Sequence, residues 1–260
     1  MLPTPSTSHV TFDTIYEPSE DTYLFLDTLS SAPESAWLTQ RFKTTASPLV
    51  VEIGTGSGVV LGFVAANSLE IFGRRDILPL GIDVNRNACT ATRETVHQAI
   101  HDRQTETEAE RQAQPNTVYL GSVVADLGSA LRVGCVDVLL FNPPYVPSEE
   151  LPRLPEVTDE ETGLSRSERF ERDSYLLSLT YAGGRDGMET TDRLLEAIPR
   201  LLDPGRGVAY VLFCAQNRPQ EVKERIRAWG EGWRAESVGN SGVQAGWEKL
   251  VIVRIWRDSL

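Results

Sequence analysis

Cysteine is scarce in this chain: Cys89, Cys135 and Cys214 stand far apart, with no Cys-x-x-Cys pair. Such spacing argues against a disulfide framework or an intrinsic zinc site and favours a reducing compartment. Positive charge is in deficit as well. The formal net charge is −12, so the surface as a whole repels polyanions and a nucleic-acid partner is not expected. Bilayer-length apolar runs are missing, and no charged-then-apolar leader opens the chain, so the expectation is no membrane span and no secretory signal. A cytoplasmic setting is expected, with a nuclear one compatible. His97 and His101 lie four apart without a third ligand nearby in sequence, and exposed histidines are expected there rather than a metal site.

What is there is ample for a packed core: 260 residues, 40% hydrophobic and 24% charged. Residues 1–15, rich in Ser, Thr and Pro, predict a poorly ordered lead-in, and residues 16–260 a single domain. Ser19 is placed to cap a helix carrying Tyr23, Leu24, Phe25, Leu26 and Leu29, with Glu20 and Asp21 in its first turn. Strands are expected at Leu49 to Ile53, Leu80 to Asp83, Thr117 to Val124, Val136 to Phe141 and Gly207 to Phe213. Helices alternate with them, and a closing antiparallel pair runs from Trp233 to Val238 and from Glu248 to Trp256. This alternation predicts an α/β fold, an open, doubly wound and mostly parallel sheet. The polar tract 101–116 reads as a solvated helix extension and loop. The acidic tract 148–173 reads as a surface segment near the site: a lid, a substrate contact or a disordered spacer.

The residues that carry chemistry fall at the carboxyl ends of successive strands, where ligands bind in open parallel sheets. Glu52 precedes Gly54-Thr55-Gly56-Ser57-Gly58, a loop leading into a helix and suited to a nucleotide-like molecule. Val59 stands where a dinucleotide fingerprint has its third glycine, which weakens a nicotinamide or flavin reading. Glu52 reads either as a solvated strand end or as a carboxylate near a charged amino-acid portion. Asp83 is placed for ribose hydroxyls, and Asp126 either for an exocyclic amine or for a helix cap. Asn142-Pro143-Pro144-Tyr145 is the most informative stretch. Two prolines bar a helix, fix Asn142 as extended, and present its amide oxygen and the Pro143 carbonyl as acceptors beside an aromatic ring. Such a pair suits an uncharged planar NH2 group and the charge that grows on it during alkylation.

Taken together, Glu52-x-Gly54-x-Gly56-x-Gly58, Asp83, Asp126 and Asn142-Pro143-Pro144-Tyr145 resemble the class I S-adenosylmethionine-dependent methyltransferases of the HemK/PrmC glutamine type. Tyr16 to Thr22 and Ala182 to Gly187 are similar to stretches of its eukaryotic and archaeal branch. The resemblance implies a seven-stranded fold and transfer of a methyl group from S-adenosylmethionine, leaving S-adenosylhomocysteine. The acceptor implied is the N5 of the glutamine in the Gly-Gly-Gln motif of a translation termination factor. By the same resemblance Thr22, Glu52 and Gly54 serve the methionine side, Asp83 the ribose, and Asp126 and Leu127 the adenine, with Gly56 also binding the cofactor. Asn142, Pro143, Pro144 and Tyr145 face the target, with Asn142 also on the cofactor side. It further implies a small zinc-binding activator as heterodimer partner, which the unblunted edge Thr117 to Val124 suits. The competing readings are an adenine-N6 or lysine methyltransferase and a non-catalytic protein-binding scaffold.

Overall fold

The structure, a computed structural model, describes residues 2–104, 116–154, 165–242 and 249–258. Its centre is a sheet of strands β1 (Leu49–Ile53), β2 (Leu78–Asp83), β3 (Gly121–Val124), β4 (Val138–Phe141), β5 (Val208–Cys214), β6 (Trp233–Asn240) and β7 (Leu250–Arg257). The order across the sheet is β3-β2-β1-β4-β5-β7-β6. The pairs from β3 to β5 are parallel, while β7 runs antiparallel to both β5 and β6. The expected doubly wound sheet and its antiparallel closing pair are both present.

The period-two alternation of β5 shows how the layers form. Val208, Tyr210, Leu212 and Cys214 bury one way and Ala209, Val211 and Phe213 the other. The first set packs under helices α1 (Glu20–Leu29), α2 (Ala32–Phe42), α3 (Val59–Ala66), α4 (Ser68–Phe72) and α5 (Arg86–Gln104). Three further helices follow in the chain: α6 (Arg166–Ser178), α7 (Glu189–Leu201) and α8 (Pro219–Arg227). The second set packs on α7 and α8.

Five expectations are corrected. The lead-in is packed, not loose: Thr14 and Ile15 are buried, Thr14 O accepts from Asn85 Nδ2, and the His9 ring hydrogen-bonds Ala91 O and Thr95 Oγ1. Its partners are distant in sequence, so no local periodicity announced it. Ser19 stands at the N-cap position, but its hydroxyl donates to Asp21 Oδ1 and contacts Tyr16 Oη instead of taking a helix N–H. The strand expected over Thr117 to Val124 is regular only from Gly121, which stands at φ 114°. Val118 and Leu120 still donate to Ile77 O and Pro79 O along the same edge. Within the acidic tract, α6 starts at a capping box in which Ser165 and Glu168 bond each other's backbone. Residues 155–164 of that tract, and 105–115 of the polar tract, lie outside the described residues. The described end of the polar tract is not solvated throughout, because Gln104 is buried and donates to Ala65 O.

Candidate active site

A cavity of about 240 Å³ opens at the carboxyl ends of β1, β2 and β4. Thr22, Glu52, Gly54 and Gly56 line it, as do Asp83, Asp126 and Leu127. Asn142, Pro143, Pro144 and Tyr145 form another part of its wall. Every residue expected at the site from sequence is therefore on this one cavity. Ile15 and Tyr16 join them, which accounts for the aromatic residue ahead of α1.

The glycine loop divides its work. A side chain at Gly56 would meet nothing within 4 Å, so this glycine leaves open room on the ligand side. At Gly58 a Cβ would sit 2.6 Å from Thr92 Cα, so that glycine serves the packing of α3 on α5. Asp83 holds the loop: its Oδ2 accepts from Gly56 N at 3.0 Å and its Oδ1 from Asn85 N at 2.8 Å. Burial pushes its carboxyl above the ordinary range despite these bonds. Glu52 is 3% exposed, so the solvated strand-end reading fails. Its Oε2 accepts from Leu61 N at 3.0 Å, and burial, with Asp83 adding to it, holds the carboxyl well above its usual value. A buried carboxylate with that cost is suited to a cationic amine, which would supply the missing counter-charge.

Asp126 begins no helix; its carboxylate pairs with Arg193 of α7, and Leu127 beside it adopts φ 48°. Beneath all of this, Cys89 is buried with its thiol pushed up to about 12, chiefly by desolvation, and is unreactive packing.

The Asn142 end of the cavity is organised by a residue not expected at the site. Asp21, 2% exposed, takes Thr22 N and the Ser19 hydroxyl on Oδ1. Its Oδ2 takes Asn142 Nδ2 at 3.1 Å and the Tyr145 hydroxyl at 3.4 Å. Asn142 Oδ1 is left buried and without a hydrogen-bond partner. A buried acceptor without a donor is costly, and a ligand N–H would relieve it. The sequence did carry a signal for Asp21: it lies four residues before Phe25, on the apolar face of α1, where an acid is out of place.

The Ala182-Gly183-Gly184-Arg185-Asp186-Gly187 stretch is the buttress of this end. Gly183 N donates to Val146 O at 2.8 Å and Val146 N to Tyr181 O at 3.0 Å. A side chain at Gly183 would collide with the Pro144 carbonyl, and one at Gly187 with the Tyr145 carbonyl. Asn217 clamps the arrangement by donating to Tyr145 O and Asp186 O. The outer wall is apolar, with Leu151 and Pro152 from the acidic tract and Leu176 from α6.

The arrangement thus offers room for a nucleoside with an amino-acid tail, and beside it an acceptor for a planar N–H. Comparison with known proteins agrees. No family model matches the chain. It is 32% identical to methyltransferase HEMK2 of Mus musculus, over 97% of this chain and 96% of that one. It is 31% identical to methyltransferase HEMK2 of Homo sapiens, over 98% and 97% of the two chains. With the eRF1 methyltransferase catalytic subunit mtq2 of Schizosaccharomyces pombe it shares 29% identity, over 99% and 96%. Likeness of that degree runs through almost the whole of both chains in each case, and this chain belongs to the HemK family of S-adenosylmethionine-dependent methyltransferases, in the branch of methyltransferase HEMK2.

Proposed function

We propose that this chain methylates the N5 of the glutamine in the Gly-Gly-Gln motif of a translation termination factor, as the catalytic subunit of a heterodimer. The observation that carries the reading is the buried, partnerless Oδ1 of Asn142, with Nδ2 of the same amide held by Asp21. A glutamine amide is a poor nucleophile because its lone pair is conjugated with its carbonyl. Asn142 Oδ1 and the Pro143 carbonyl can each accept one N–H, turning the lone pair outward and stabilising the charge that develops on nitrogen. Asp21 prevents the Asn142 amide from rotating, so the acceptor is set before the substrate arrives. Tyr145 flanks the planar amide. S-adenosylmethionine would supply, when bound, a methyl group on a sulfonium whose sulfur departs as a neutral thioether, so no acid catalysis is needed. Glu52 would take its amino group, Asp83 the ribose hydroxyls, and Asp126 with the backbone at Leu127 the adenine. The spare proton on the acceptor nitrogen leaves to solvent. Among the described residues no helix is long and apolar enough to cross a membrane.

The name of the fission-yeast relative, a catalytic subunit, supports a partner. We place a small zinc-binding activator on the outer edge of β3. There Val118, Leu120, Val123 and Val124 are exposed, and among the described residues β3 has a strand neighbour on one side alone. Strand addition would satisfy that edge.

Incubation with labelled S-adenosylmethionine and, separately, a termination factor or DNA, followed by mass mapping of the product, tests the substrate. Label on the Gly-Gly-Gln glutamine is expected; label on adenine would overturn the reading. Co-expression with the activator, followed by size-exclusion chromatography with light scattering, tests the partner. A chain that stays monomeric and equally active with the activator present would defeat that part.

A further inference from the structure

We propose that Arg193 is the positioning residue for adenine recognition, acting through Asp126. The two side chains come from elements far apart in the chain: Asp126 follows β3, and Arg193 stands in the first turns of α7. Both line the cavity, and the Arg193 guanidinium meets the Asp126 carboxylate there. Its Nη2 donates to Oδ2, and among the described residues Oδ1 has no hydrogen-bond partner. That division matters chemically. A carboxylate on a turn rotates freely and spreads its acceptor capacity; one pinned at a single oxygen presents the other in a fixed direction. The 6-amino group of adenine is a donor, and Oδ1 is the acceptor that remains for it.

Arg193 is itself braced. Its neighbour on α7, Asp192, pairs with Arg225 of α8, which ties the start of α7 to the next helix. The line Arg225–Asp192 therefore steadies the helix turn that delivers Arg193 to the cavity. Nothing in the local sequence marks this, because an Arg in the first half of a helix reads as a solvated surface residue.

The inference rests on adenine lying at Asp126, and the test separates the two. Calorimetric affinities are measured for S-adenosylhomocysteine and for its analogue with hydrogen in place of the 6-amino group. The proteins are wild type, Arg193→Ala, Asp126→Ala and the double variant. The side chains are 47% and 31% exposed, so neither substitution threatens folding. Wild type should prefer the amino ligand by about tenfold or more, the scale of a hydrogen bond to a charged acceptor. Asp126→Ala should abolish that preference. Arg193→Ala should cut it by about threefold to fivefold, the scale of a partly exposed ion pair, while leaving the 6-hydrogen analogue within twofold. In the double variant the Arg193 substitution should add nothing. An unchanged preference in Arg193→Ala, equal weakening of both ligands, or a persisting Arg193 effect without Asp126 would overturn the inference. An unchanged preference in Asp126→Ala would instead overturn the placement of adenine.

Discussion

Asn142 donates its side-chain N–H to Asp21 across 3.1 Å, and this single bond decides which end of the amide faces the cavity. With Nδ2 spent on the carboxylate, Oδ1 is the atom left for a ligand. Asn142→Ala should therefore leave S-adenosylhomocysteine binding within a few-fold while lowering methyl transfer by about a hundredfold or more, the scale of losing an oriented polar group in a water-excluded site. Calorimetry and a transfer assay read the two effects, and near-normal turnover would remove Asn142 from the chemistry.

Asp21→Asn tests the same bond from the other side. The new amide presents a donor as well as an acceptor to Asn142, so Nδ2 loses its exclusive partner and the Asn142 amide is free to turn. Turnover should fall about tenfold or more. Because Asp21 also fixes Thr22 and Ser19, the melting temperature should fall too, though Asn retains an acceptor for those bonds. A variant that keeps full turnover would show that amide orientation is set by something else.

Much of this site was legible in the chain. Apolar runs located β1, β2 and β4, and Glu52, Asp83 and Asn142 follow as residues at or beside their carboxyl ends. What stayed hidden came from elements that meet only in three dimensions. Asp21 arrives from α1 and Arg193 from α7, and no spacing along the sequence links either to the residue it holds. The helix α6 was hidden for another reason. The charged stretch RSERFERDSYLLS carries too few apolar residues to show a helical period.

Glu52 should make stability fall as pH rises. Its folded carboxyl sits well above the ordinary 4.5, so above that value the native state holds a proton that the unfolded chain has released. The contribution is full below 4.5 and is lost progressively upward through the raised folded value. Glu52→Gln should accordingly raise the melting temperature more at pH 8 than at pH 5. Asp83, shifted the same way, keeps some of the slope. Affinity for S-adenosylhomocysteine should drop about tenfold in this variant, since a charged hydrogen-bond partner is lost. Equal melting shifts at both pH values would contradict the assignment.

Asp83→Ala should act chiefly on cofactor affinity, at a cost of about 1–3 kcal/mol, or roughly tenfold to a hundredfold in dissociation constant. It also frees Gly56 N, so the glycine loop loses a tether that does not depend on the ligand. Turnover at saturating cofactor should change far less than the dissociation constant. Normal cofactor binding in this variant would displace the ribose from Asp83.

The contact of Gly183 and Gly187 with the carbonyls of Pro144 and Tyr145 reaches beyond single substitutions. Two stretches some forty positions apart in the chain share one backbone geometry, so neither can drift alone. A side chain gained at either glycine becomes tolerable only where the Pro144–Tyr145 backbone has already shifted, and such a shift carries the neighbouring Asn142 and Pro143 with it. Within descendants of this sequence the two stretches are expected to be inherited as one unit, their pairwise variants strongly epistatic, while the apolar wall at Leu151 and Leu176 remains free to diversify with the shape of the substrate.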